Sequence, residues 1–179
     1  MSKKIVLVSA LLVTTAGIAN AGPFPYIGAN LGINTITSTD TVNSNVAAAR
    51  VVPVTLFAGY GGLITQNIYF AGELSGTPAS AEITNKNNIK TTYGFGLSLL
   101  PGLMLNDHAM GFARAGFVRS RFSGMNMLCT GGIFGLGLQT SLTQHVDLRG
   151  EYDFTAYRTV GTLGAPRSDT FNLGLVYRF

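Results

Sequence analysis

The chain has 179 residues, 46% of them hydrophobic and only 11% charged, with a formal net charge of +4. That balance excludes a disordered polar chain, and so small a charge without a dense Lys/Arg stripe argues against a nucleic-acid partner. The single cysteine, Cys129, excludes a fold that depends on an internal disulfide, and its expected place is an outward loop, as an unpaired thiol.

At the start, Lys3 and Lys4 precede an apolar run from Ile5 to Val13, and Ala19-Asn20-Ala21 follows it. This is the layout of a secretory signal peptide cleaved after Ala21. The run is shorter than the roughly 20 residues needed for a membrane-spanning helix. The expected domains are therefore a removed segment, 1–21, and a mature domain, 22–179, whose charge falls from +4 by the two lysines to +2.

Beyond Gly22 the apolar residues recur with period two, the signature of strands with one apolar face. Ile27, Ala29, Leu31 and Ile33 alternate with Gly28, Asn30, Gly32 and Asn34. Val54, Leu56, Ala58 and Tyr60 alternate with Thr55, Phe57, Gly59 and Gly61. The pattern continues with Ile68, Phe70 and Leu74 against Tyr69, Ala71 and Glu73, then Phe95, Leu97 and Leu99 against Gly94, Gly96 and Ser98. Ala113, Ala115 and Phe117 oppose Arg114, Gly116 and Val118; Phe134, Leu136 and Leu138 oppose Gly135, Gly137 and Gln139. In the seventh segment Val146, Leu148, Tyr152 and Phe154 oppose Asp147, Arg149, Glu151 and Asp153, and an eighth runs from Asp169 to Phe179.

The connections alternate in length. "ITQN", "LNDH" and "TQH" read as short turns, whereas Ser38–Ala49, Gly76–Asn88, Ser123–Thr130 and Arg158–Ser168 read as longer loops. Short turns on one rim and long loops on the other are the organisation of a transmembrane barrel. The polar faces are rich in Gly, Ser and Asn, so the apolar faces point outward to lipid. We expect an all-β, eight-stranded antiparallel barrel, apolar outside and small or polar inside. Closure is compulsory, because an open edge would leave backbone groups unsatisfied in hydrocarbon. Eight strands leave an interior wide enough only for side chains, so the lumen should be plugged. Its expected polar network is Glu73, Arg114, Asp147, Arg149, Glu151, Asp153 and Arg178, with Glu73 and Glu151 pairing to Arg114 and Arg149, since unpaired buried charges are costly.

With "PYIGANLGIN", "GFARAGFVRSRF", "VDLRGEYDF" and "FNLGLVYRF" in view, the chain resembles the small outer-membrane barrels of Gram-negative bacteria, the group of the OmpA transmembrane domain, OmpX and the opacity proteins. The resemblance spans the mature chain and implies integral residence in the outer membrane. It also implies that the row Phe171, Leu173, Leu175, Tyr177 and Phe179 serves as a signal to the barrel assembly machinery as well as a lipid face. No peptidoglycan-binding domain is expected after Phe179.

No phosphate loop, metal cluster or Gly-x-Ser-x-Gly element occurs. His108 and His145 fall in short turns without a hydrolase-like Ser and carboxylate. No enzyme and no cofactor are expected. Arg119 and Arg121, at the outer end of the fifth strand, suit lipopolysaccharide phosphates. The expected function is structural or surface-interacting and adhesion-like, with loops engaging host surfaces or envelope components. The alternative is a narrow porin passing ions or small solutes. A soluble lipocalin-like carrier would instead bury the apolar faces inside.

Overall fold

A computed structural model describes residues 22–39, 46–85, 91–122, 127–158 and 167–179. The proposed signal segment, 1–21, and the centres of the four long connections lie outside the described residues. Eight strands follow one another: β1 Phe24–Thr39, β2 Val46–Leu63, β3 Ile68–Asn85, β4 Thr91–Asn106, β5 Ala109–Phe122, β6 Met127–Ser141, β7 Val146–Tyr157 and β8 Arg167–Arg178. Each pairs antiparallel with its neighbours in sequence, and β1 pairs with β8 from Tyr26↔Arg178 to Thr37↔Arg167, closing the barrel.

The period-two faces read from the sequence are the two faces of this wall. Ile33, Leu56, Leu74, Phe95, Phe117, Phe134, Leu136 and Phe171 are exposed on the outside. An outer-membrane barrel carries an apolar band about 25 Å tall bounded by aromatic girdles. Here Tyr60, Phe70, Tyr177 and Phe179 stand near the short-turn rim, and Phe95, Phe117, Phe134, Phe154 and Phe171 stand near the other. Between the two girdles no outward position among the described residues carries a charge, as expected where a Lys or Arg facing mid-bilayer costs about 2–4 kcal/mol.

The loops differ from the expectation. The long segments Gly76–Asn88 and Ser123–Thr130 contain strand, since β3 runs to Asn85 and β6 starts at Met127; β1 and β2 likewise reach Thr39 and back to Val46. Above the lipid band both faces of the wall meet water, so the ladder persists by its backbone hydrogen bonds while the apolar alternation that betrays a strand fades. Irregular register in the β2–β3 ladder, between Arg50 and Val51 and between Val54 and Leu56, marks this extension.

Cys129 is the second correction. It lies within β6, paired in register with Ser120, and its side chain is buried on the inner face, not displayed in a loop. A maleimide reagent is expected to leave the folded barrel unmodified over a period in which the urea-unfolded chain reacts fully. Mass spectrometry of the two samples reads this directly.

The lumen also holds more apolar bulk than small or polar inward positions suggest. Tyr26, Phe57, Tyr69, Leu100, Met110, Phe112 and Val176 form a buried cluster with Ala71. Their rings are seated on glycines of the neighbouring strand. Phe57 covers Gly28 while Tyr26 covers Gly59 across the β1–β2 ladder, and Phe112 covers Gly137 across β5–β6.

Candidate functional site

The centre of the lumen is an ion-pair network hung between β3, β5 and β7. Glu73 is fully buried. One carboxylate oxygen accepts from Arg114 Nη2 at 2.6 Å, and the other accepts from Arg149 Nη1 at 2.6 Å and from the Tyr26 hydroxyl at 3.1 Å. Arg114 Nη2 also donates to Glu151 at 3.0 Å, and its Nε stands 3.6 Å from Asp153 Oδ1. Strand alternation explains the clustering: Arg149, Glu151 and Asp153 occupy successive inward positions of β7, while Glu73 and Arg114 reach them across the lumen. Burying such charges is favourable only when hydrogen bonds satisfy them.

Neutral partners complete the set. Asn30 donates to Glu151 at 3.2 Å, Asn172 to Asp153 at 2.9 Å, and Gln139 to Asp147 at 2.7 Å while accepting from Arg149 Nε at 2.8 Å. Arg178 faces Asp147 at 2.9 Å nearer the short-turn rim. The Arg149 guanidinium lies 4.7 Å from the centroid of Phe57, 5.1 Å from Phe112 and 5.5 Å from Tyr26, so three rings add cation–π attraction. These rings and amides were not singled out from the sequence. Their signal was there: each ring occupies an inward position whose register partner is a glycine.

The network divides the lumen. Above it is a cavity of about 110 Å³ with Thr55, Ser75, Ser120 and Thr155 in its wall. Below it is one of about 210 Å³ beside Phe24, Met104 and Arg178. The two share no lining residue. Among the described residues no group of three or more His, Cys, Asp or Glu is placed to hold a metal ion.

A model of the outer membrane protein beta-barrel domain matches residues 5–179. The chain belongs to this outer-membrane family. Among solved structures it is similar to Neisserial surface protein A, at 18% identity and a TM-score of 0.59, covering 88% of this chain and 99% of that one. It is also similar to Ail, the attachment invasion locus protein of Yersinia pestis, solved with the heparin analogue sucrose octasulfate. That match has 14% identity and a TM-score of 0.58, covering 89% of this chain and all of that one. No curated protein sequence matches. At these identities the likeness is one of fold.

In an outer-membrane barrel the short turns face the periplasm and the longer connections face outward. His108 and His145 are then exposed at the periplasmic rim, and the His145 ring stacks on Tyr177 at 6.0 Å. Phe171, Leu173, Leu175, Tyr177 and Phe179 all point outward, with Tyr177 and Phe179 edge to face at 5.2 Å. Arg119 and Arg121 stand on the outer wall just above Phe117; Arg121 lies 5.9 Å from the Tyr93 ring centroid and donates to its hydroxyl at 3.4 Å.

Proposed function

We propose that this outer-membrane barrel is a non-conducting surface protein, structural or adhesion-like, that acts through its outer rim and connecting loops and is not an enzyme. The observation that carries the reading is the lumen, blocked at mid-height by Glu73, Arg114 and Arg149, with three aromatic rings packed on Arg149. A blocked interior leaves the outer rim as the part that can meet a partner. The names of the two similar barrels, a surface protein and an attachment protein, accord with this.

In this reading the chain is exported on its first 21 residues, which are then cleaved. The outward row from Phe171 to Phe179 engages the barrel assembly machinery, and Arg119 and Arg121 contact lipopolysaccharide phosphates. Loop ligands are host-surface or envelope components. Planar-bilayer recording of the refolded chain is the test: no steady open state is expected. A persistent ohmic conductance from the unmodified barrel would favour a narrow porin instead.

A further inference from the structure

The charges on the outside of the wall are distributed unevenly. At and above the upper aromatic girdle, the outward described positions carry Arg50, Arg119, Arg121, Arg158 and Arg167, with Asp169 as the acidic one. Around the short turns the exposed groups are Asp107, His108 and His145 with neutral residues. Arg119 and Arg121 share β5. The other three gather on the opposite side of the barrel, over the seam where it closes.

The register defines this second group. Arg50 of β2 faces Thr35 of β1, and Arg167 of β8 faces Thr37 of the same strand from its other side. Arg167 is also paired with Ala156, placing exposed Arg158, the residue just past the end of β7, two residues further along the chain. With strands about 4.8 Å apart and a rise of about 3.3 Å per residue, Arg50 and Arg167, two strands and two residues apart, have backbones roughly 12 Å from one another. Asp169, the local carboxylate, accepts from the Tyr152 hydroxyl at 2.8 Å.

We infer that Arg50, Arg158 and Arg167 form an anion site for the phosphates of an outer-leaflet lipid, distinct from Arg119 and Arg121. Guanidinium forks bind phosphate through paired, charge-assisted hydrogen bonds. Position favours a lipid over a soluble sulfated glycan. The three arginines stand on the outside of the wall, two outward positions above Val54, Phe154 and Phe171 with Val52, Ala156 and Asp169 between, at the level where headgroups meet the barrel. The inference rests on the outer-membrane orientation proposed above but not on the role of Arg119 and Arg121. Two basic poles on opposite sides would let one barrel hold two such lipids.

The test uses the full mature barrel refolded in detergent. It is titrated separately with lipopolysaccharide, the same lipid dephosphorylated, inorganic phosphate and a sulfated oligosaccharide. Arg50→Gln, Arg158→Gln and Arg167→Gln are combined in one variant, and Arg119→Gln with Arg121→Gln in another; heat-modified gel mobility confirms folding. Three near-surface cations, each worth about fivefold, predict roughly hundredfold weaker lipopolysaccharide binding by the triple variant. Dephosphorylated lipid should bind weakly to wild type and variant alike, and inorganic phosphate should not compete at millimolar levels. Unchanged lipopolysaccharide binding by the triple variant overturns the inference, even if the Arg119 and Arg121 variant loses it. Stronger wild-type binding of the sulfated oligosaccharide, lost with the three arginines, overturns it in favour of a glycan site.

Discussion

Glu73→Gln is expected to destabilise the barrel by about 3–5 kcal/mol, the cost of removing one partner from a buried ion pair. The substitution keeps the shape of the side chain and removes its charge. Arg149 would then keep Gln139 and its three rings but no directly bonded carboxylate, while Arg114 would keep Glu151 and Asp153. A contrasting variant separates charge balance from mere polarity. Among the described side chains, the carboxylates facing the lumen are Glu73, Asp147, Glu151 and Asp153, and the guanidiniums are Arg114, Arg149 and Arg178. Four minus three leaves one carboxylate in excess. Asp153 is the most weakly paired, with Arg114 Nε at 3.6 Å, and its Oδ1 accepts no hydrogen bond. Asp153→Asn should therefore shift stability by no more than about 1 kcal/mol. Urea unfolding can be followed by the electrophoretic mobility of unheated samples, since the chain has no tryptophan. Equal losses in the two variants would refute this ranking.

Gly59→Val should be the next most disruptive change, costing about 1–3 kcal/mol or more through overpacking. A Cβ at Gly59 would run into the Tyr26 ring, and Tyr26 has little freedom to withdraw. Its hydroxyl is held by Glu73, its ring lies edge-on to Phe57 at 6.4 Å, and Arg149 stands over it. Moving the ring would loosen the ion network at the same time. Gly72→Val provides the control, because a Cβ there meets nothing within 4 Å. Gly72 faces outward in β3, where a branched side chain suits a strand and an apolar one suits lipid. It should fold as well as wild type. The mobility shift and urea midpoint of the two variants test the contrast, and a Gly59→Val barrel as stable as Gly72→Val would show that the ring is not locked.

How much of this was legible beforehand follows from where alternation is physically enforced. Inside the bilayer, a residue such as Leu136 must face lipid and its neighbour Gly135 must face the lumen, so the period-two reading places both. The inward charges of "VDLRGEYDF" are legible for the same reason. At the outer rim the solvent is water on both sides, and a segment such as Pro78–Asn85 forms strand without an apolar stripe to announce it. Cys129 was misplaced on that account. The aromatic half of the lumen was obscured differently: Tyr26 and Phe112 share the inward parity of Gly28 and Arg114, but bulky rings fit a narrow interior only because the register sets each opposite a glycine.

The network also constrains the order of folding. Asn30 and Glu151 are 121 residues apart in the chain, and Glu73 and Arg149 are 76 apart. Such distant partners meet only after a large loss of chain entropy, so topologies built on them fold slowly. Until β1 meets β8, the inward carboxylates and guanidiniums of β3, β5 and β7 would lie on the face of an unclosed sheet and resist entry into hydrocarbon. Closing the seam and dehydrating the charges must therefore occur as one step, which makes seam closure the expected rate-limiting event of insertion.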